Sequence, residues 1–169
     1  ESFGVLAAVV ILLLAFGSIV AAGLPLGAAI FGLGTGIGIV MLLAATRTFP
    51  SFAPQFASMI GIGVGIDYAL LVVTRFREGL HTGKDVEQSI VTAVATAGRS
   101  VIFAGVVVAV SFLGLAFMGI PFVTAMGITG AIVVVCAVLV SLTLIPALLG
   151  FAGHSIDRLR IPFLHSSEG

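Results

Sequence analysis

The chain has 169 residues, of which 60% are hydrophobic and only 8% are charged, with seven basic and seven acidic side chains. A soluble domain of this length would carry about 42 charges. The composition therefore excludes a soluble enzyme and a disordered tail, and the absence of net charge argues against a nucleic-acid partner. The single cysteine, Cys136, lies in an apolar run with no Cys or His at ligand spacing, so we expect neither a disulfide, nor a metal, nor a cofactor.

Apolar runs dominate the chain. A helix needs about 20 apolar residues to cross the hydrocarbon core of a bilayer. No strand-like alternation suggests a barrel, so the sequence predicts an all-α membrane protein. Residues 1–153 would form a bundle of five transmembrane helices, and residues 154–169 a cytoplasmic tail or linker. The five spans are expected near 3–22, 24–45, 55–75, 100–119 and 122–150.

Two short links connect neighbouring spans. Gly23-Leu24-Pro25 predicts a tight turn between the first two spans, because proline is accepted in the first turn of a new helix. Gly119-Ile120-Pro121 predicts an equally short connection between the last two spans. The last span is long, and we expect it to tilt or to kink near Pro146.

The segment between the third and fourth spans has the signals of a helix of its own. Thr82 and Asp85 are both followed three residues later by a residue suited to a capping box. Apolar residues then recur at helical spacing with polar residues between them. The sequence predicts one cytoplasmic helix at about 83–98, lying at the membrane surface and leading into the fourth span.

The distribution of basic residues predicts the orientation in the membrane. Cytoplasmic loops carry an excess of Lys and Arg, and an odd number of spans places the two termini on opposite sides. We therefore expect a multi-pass protein of the cell membrane with an extracytoplasmic N-terminus and a cytoplasmic C-terminus. Because nothing in the chain would export that N-terminus, we also expect the chain to be a piece of a larger protein. The predicted cytoplasmic side holds Arg75, Arg77, Lys84, Arg99, Arg158 and Arg160, whereas the opposite side holds Arg47.

Asp67 is the one formal charge predicted to lie deep in the membrane. It is two residues, about 3 Å, beyond Gly65 at the middle of the third span. A carboxylate at that depth costs about 2.5–3.5 kcal/mol on insertion scales. The side chain must therefore face a protein partner or a water-filled path, or be protonated. One interpretation is a proton relay or ion-coupling site; the other is a structural hydrogen bond to another helix.

The neighbours of Asp67 allow two interpretations of their own. Tyr68 is the only phenol in the chain and could hydrogen-bond a carboxylate partner, or it could simply pack in the core. Gly61 and Gly65 form a GxxxG pair, as do Gly32 and Gly36 in the second span. Small residues at this spacing let helix backbones approach closely, so these glycines predict helix packing rather than a phosphate-binding loop.

These motifs resemble the MMPL family of the RND transporter superfamily, over essentially the whole chain. The resemblance implies the second to sixth helices of one half, more like the N-terminal half, of a 12-helix transporter. The first helix, the porter domains and the second six-helix half would then lie outside this chain. The matching motifs are Gly65-Ile66-Asp67-Tyr68, Arg75-Phe76-Arg77-Glu78, Gly98-Arg99-Ser100 and the closing run LTLIPALLGF at 142–151.

Two functions follow from the resemblance. The first is a proton-motive-force-driven exporter of lipids or other hydrophobic molecules, in which Asp67 and Tyr68 match the family's proton-relay pair. The alternative is a lipid-binding or sensing membrane module that resembles a sterol-sensing domain and does not transport. Neither function is enzymatic. In both cases the partners are the lipid bilayer and a hydrophobic ligand.

Overall fold

The structure, a computed structural model, describes residues 19–45 and 51–153. The described residues form four long helices: α1 (Ile19–Ala44), α2 (Ala53–His81), α3 (Val86–Leu115) and α4 (Pro121–Ala152). A short 3₁₀ turn, Ala116–Met118, extends α3. All four helices are long and apolar enough to cross a membrane. The prediction of an all-helical membrane protein is thus confirmed for the described residues, whereas most of the span predicted at 3–22 lies outside them.

The turn predicted at Gly23-Leu24-Pro25 is absent, because α1 runs straight through these residues. Pro25 lies in the interior of the helix and its side chain is fully buried. Proline removes one backbone hydrogen bond, but membrane helices tolerate it where neighbouring helices pack around the site. The prediction was wrong because Gly-Leu-Pro is compatible both with a turn and with the interior of a packed membrane helix, and the sequence alone does not distinguish the two.

The connection between α2 and α3 is shorter than the sequence predicts. The turn after α2 uses Gly83 in the left-handed conformation, with a φ of 82°. Asp85 is the N-cap of α3, and its Oδ1 accepts a hydrogen bond of 2.8 Å from the backbone N–H of Val86. The structure corrects the prediction of a separate helix at 83–98. Residues 86–98 are the first part of α3, which continues without a break into the fourth predicted span.

The connection between α3 and α4 agrees with the predicted short link. Gly119 ends the 3₁₀ turn in the left-handed conformation, with a φ of 72°, and Ile120 is extended. Pro121 then occupies the first turn of α4, where its missing N–H costs nothing. Farther along, α4 continues as a helix through Pro146.

The four helices run alternately up and down. Consecutive helices are antiparallel, because the number of the contacted residue falls as the glycine number rises. The contacts that show this are Gly61 with Leu33 and Gly65 with Ala29, Gly79 with Ser89 and Gly105 with Tyr68, and Gly98 with Leu142 and Gly105 with Val138. Both α2 and α4 contact the other three helices. In the most apolar part of each helix, 44% of α4 is buried but only 17% of α3, so α4 is central and α3 is peripheral. The core of the four-helix bundle is built mainly from Ala and Val, which permits short distances between helix axes.

The charged residues divide the bundle into two ends. Apart from Asp67, every charged side chain in the described ranges lies in 75–99, around the junction of α2 with α3, and we call this the charged end. We call the opposite end, where α3 meets α4, the apolar end. Residues 100–152 carry no charge at all. The orientation of these two ends relative to the cell remains a prediction from the sequence.

Candidate functional site

Asp67 lies on α2 about eight residues, or about 12 Å, from Arg75 at the charged end. The helix extends fourteen residues on the other side of Asp67, back to Ala53. This position puts the carboxylate within the part of the bundle that would occupy the hydrocarbon core of a bilayer. It is the only charged residue there among the residues that the structure describes.

The side chain of Asp67 points away from the bundle. It belongs to a stripe of exposed residues that runs along α2 at helical spacing, and we call this stripe the open face of α2. Met59 and Leu71, one or two turns to either side of Asp67, are 70% and 43% exposed. The described helices therefore leave this face uncovered. The open face consists of Gln55, Met59, Gly63, Asp67, Leu71, Arg75 and Glu78.

Among the described residues, no side chain forms a hydrogen bond or an ion pair with Asp67. The nearby hydroxyl groups bond to their own helices instead; Thr74, for example, donates to the carbonyl oxygens of Leu70 and Leu71 at 2.9 and 3.0 Å. Within residues 19–45 and 51–153 the ion pair at this face joins Arg75 Nη1 to Glu78 Oε2 at 2.7 Å, near the charged end. Any hydrogen-bonding or ionic protein partner of the Asp67 carboxylate thus lies outside the described helices.

Tyr68, although adjacent in sequence, points in a different direction. Its side chain is only 7% exposed and belongs to the main hydrophobic core. The ring edge lies against Gly105 of α3, where a Cβ atom would be 3.8 Å from Tyr68 Cε2. The structure therefore places Asp67 on the open face and Tyr68 between α2 and α3, so that a shift of α2 would displace both residues together.

The glycines singled out by the GxxxG pattern line the packing surfaces behind the open face. A Cβ atom on Gly61 would come within 2.7 Å of Val133 Cγ1, and one on Gly65 within 3.1 Å of Ala29 Cα. Gly36 is similarly close to Val133, whereas the nearest atoms to Gly32 are at an ordinary 3.6 Å. Close approach of the backbones thus holds α2 against α1 and α4, with Asp67 on the other side of the helix.

Other glycines pack at least as tightly but carry no GxxxG signal. Gly105 touches Val138 so closely that an added Cβ would collide with its methyl group. Gly127 would collide with the backbone carbonyl of Phe112, and Gly130 with the Phe112 ring at 2.7 Å. These three positions join α3 to α4. Their role depends on which helices meet, which the spacing of glycines in one helix does not reveal.

The basic residues predicted at the cytoplasmic interface all lie at the charged end. Arg75 and Arg99 are exposed, and Arg77 is half-buried. Arg75 and Arg77 occupy the last turns of α2, and Arg99 ends the charged first part of α3. In the described part of the chain, no three His, Cys, Asp or Glu residues come together as potential metal ligands.

Comparison with known proteins agrees with these features. Residues 1–163 match the model of the MMPL family. The chain is 45% identical over 153 residues to membrane protein YdfJ of Bacillus subtilis, which covers 90% of this chain. It is 35% identical over 161 residues to the trehalose monomycolate exporter MmpL3 of Mycobacterium tuberculosis, covering 92% of this chain.

A further relative is the mycolic acid-containing lipids exporter MmpL11 of Mycolicibacterium smegmatis, 38% identical over 160 residues and 94% of this chain. The chain spans only 21% of the length of YdfJ and 17% of the lengths of MmpL3 and MmpL11. The match to the family model nevertheless extends over almost all of its residues. With its apolar helices and its match over residues 1–163, the chain belongs to the MMPL family of multi-pass membrane proteins.

Proposed function

We propose that this chain is the transmembrane core of one half of an RND-type exporter that uses the proton-motive force to move lipids or other hydrophobic molecules. The observation that carries the proposal is the position of Asp67, on the open face of α2 and well inside the membrane-spanning part of the helix. Two relatives that are named as lipid exporters, MmpL3 and MmpL11, support the class of cargo.

In the proposed mechanism the carboxylate of Asp67 faces another part of the transporter, because direct exposure to lipid would cost several kcal/mol. Asp67 takes up a proton from the extracytoplasmic side and loses its charge. The neutral side chain no longer needs a polar partner, so α2 can shift against the surface that covers its open face. Release of the proton to the cytoplasm restores the charge and resets the helix.

Tyr68 and the packing glycines have supporting roles in this proposal. The buried ring of Tyr68 couples a movement of α2 to α3, because it lies against Gly105. Gly61 and Gly65 allow α2 to lie close to α1 and α4 without interlocking side chains. The charged end, with Arg75, would face the cytoplasm, which places Asp67 about 12 Å from that boundary.

Replacing Asp67 in the full-length transporter tests the proposal. The substitution Asp67→Asn keeps the shape of the side chain but cannot exchange a proton, so lipid export is expected to fall to the background of cells without the protein. Glu78→Gln is the matched control, since Glu78 is a carboxylate on the same face of α2 but at the charged end. Its export is expected to stay near the wild-type level. Undiminished export by Asp67→Asn would contradict the proposal.

Lipid binding and proton movement, measured on the same protein, separate export from lipid sensing. A sensing module would bind lipid without proton flux, and its binding would be insensitive to a change at Asp67. Wild-type protein that binds lipid in vesicles but shows no lipid-dependent proton movement would therefore favour the sensing module over the exporter.

A further inference from the structure

The hairpin between α3 and α4 ends in an exposed apolar surface, which we call the tip and define as residues 116–122. Its sequence is Ala-Phe-Met-Gly-Ile-Pro-Phe and includes no polar side chain. Phe117 is 90% exposed and Met118 is 60% exposed, while Ile120 and Phe122 are each 49% exposed. The hairpin at the opposite end of α3 is different, because its four residues are Thr82, Gly83, Lys84 and Asp85.

The tip is a fixed part of the bundle. The ring of Phe122 lies 4.7 Å, centroid to centroid, from that of Phe52 at the start of α2. One turn deeper, the ring of Phe56 meets that of Phe112 edge to face at 6.1 Å. These contacts hold the hairpin against α2, while the side chains of Phe117 and Met118 remain exposed.

Two backbone carbonyls of the tip accept hydrogen bonds from Thr124. Only Gly119 and Ile120 separate the 3₁₀ turn from α4. Thr124 donates its hydroxyl to the carbonyl oxygen of Ala116 at 3.3 Å, and its backbone N–H to the carbonyl of Ile120 at 2.9 Å. Because the link has only two residues, it exposes few backbone polar groups and can lie away from water, where each unsatisfied group costs several kcal/mol.

The length of α3 indicates where the tip lies in a bilayer. Arg99 is the last charged residue before the tip and ends the segment 75–99 that holds the described charges other than Asp67, so we place the edge of the hydrocarbon core at Arg99. Phe117 follows eighteen residues later, about 27 Å along the helix. The hydrocarbon core is about 30 Å thick. Phe117 thus reaches the far leaflet but stays inside its boundary.

From these observations we propose that the tip is seated in the hydrocarbon of the leaflet opposite the charged end and that its partner is lipid acyl chains. Phe117 and Met118 contact lipid tails, and the hairpin does not emerge as a water-exposed loop. The tip thereby sets the depth of α3 and α4 in the bilayer at the apolar end, where no charged residue anchors them. This inference rests on the membrane-spanning fold and is independent of transport.

Spin labels on the full-length protein in lipid nanodiscs test the proposal. A nitroxide is attached to Phe117→Cys, and its collision rates with oxygen, which concentrates in hydrocarbon, and with a water-soluble nickel chelate are measured. Val106→Cys, at a 55% exposed site in the middle of α3, serves as the lipid-facing reference, and Lys84→Cys as the water-facing reference. The single native cysteine of this chain, Cys136, is replaced by alanine in every variant, as are any reactive cysteines elsewhere in the protein.

We expect the label at Phe117 to resemble that at Val106, with a ratio of oxygen to nickel collisions several-fold higher than at Lys84. Nickel collisions as frequent as at Lys84 would overturn the proposal, because the tip would then be in water. Exclusion of both reagents would also overturn it, because the tip would then be covered by protein. Met118→Cys provides a second label position on the same surface if the first variant does not reach the membrane.

Discussion

At the scale of single residues, two neighbours on α2 face different surroundings. Asp67 lies on the open face, whereas Tyr68 is buried against α3. Their depth in the membrane follows from the sequence alone, because it depends only on the distance from the two ends of the apolar span. Their directions do not, because they depend on which sides of α2 the other helices cover. The mean hydropathy of the span does not depend on the direction in which a side chain points, and therefore cannot predict it.

Gly61 offers a test of the close packing behind Asp67. In Gly61→Ala the new methyl group would meet Val133, whose branched side chain is stiff, at 2.7 Å. Overpacking of this kind costs about 1–3 kcal/mol. We therefore expect a lower midpoint of thermal unfolding for the purified full-length protein. The matched control is Gly38→Ala, since a Cβ there meets nothing within 4 Å and alanine favours the helix by up to about 1 kcal/mol. Equal shifts in both variants would contradict the observed packing.

The packing glycines also show the limit of motif reasoning. The GxxxG pairs point to Gly61 and Gly65, which do lie against neighbouring helices. Gly105, Gly127 and Gly130 are packed as tightly, yet none has a glycine four residues away. Their need for a small side chain arises from the partner helix, through Val138 or Phe112, and that partner is known only once the fold is known.

At the scale of elements, the apolar spans could be located from the sequence but their ends could not. Hydropathy separates lipid-compatible residues from charged ones, and so it placed the core of each of the four described helices. Hydropathy does not show whether a helix continues from one segment into the next. Pro25 lies inside α1, which continues beyond the one hydrogen bond that the proline removes. The amphipathic segment at 86–98 is one helix with the span that follows, because the helix continues across the change in polarity.

The start of α3 provides a test at this scale. Asp85 is the cap, although the sequence left Thr82 and Asp85 open as candidates. Removal of the carboxylate in Asp85→Ala is expected to cost about 0.5–2 kcal/mol and to speed amide hydrogen exchange in the first turn of α3. Asp85→Asn keeps an acceptor oxygen for the N–H of Val86 and should leave exchange close to that of the wild type. If exchange in the alanine variant were unchanged, Asp85 would not be the cap.

At the scale of the whole molecule, the distribution of charge fits a membrane bundle with the exception of Asp67. The described charges other than Asp67 gather at one end, and residues 100–152 have none. This arrangement stabilises the bundle in one register within the bilayer, because moving the charged end inward would bury several charges at once. Asp67 is the one charge that this arrangement does not explain, and its cost in the membrane suggests a functional role.

The central claim is that Asp67 carries the proton that drives transport, and proton movement itself tests it most directly. The full-length protein is reconstituted in vesicles with a pH-sensitive dye inside, and lipid-dependent proton flux is measured under an imposed gradient. We expect flux in the wild type and in Glu78→Gln, and none in Asp67→Asn above that of protein-free vesicles. Flux of wild-type size in Asp67→Asn would contradict the claim.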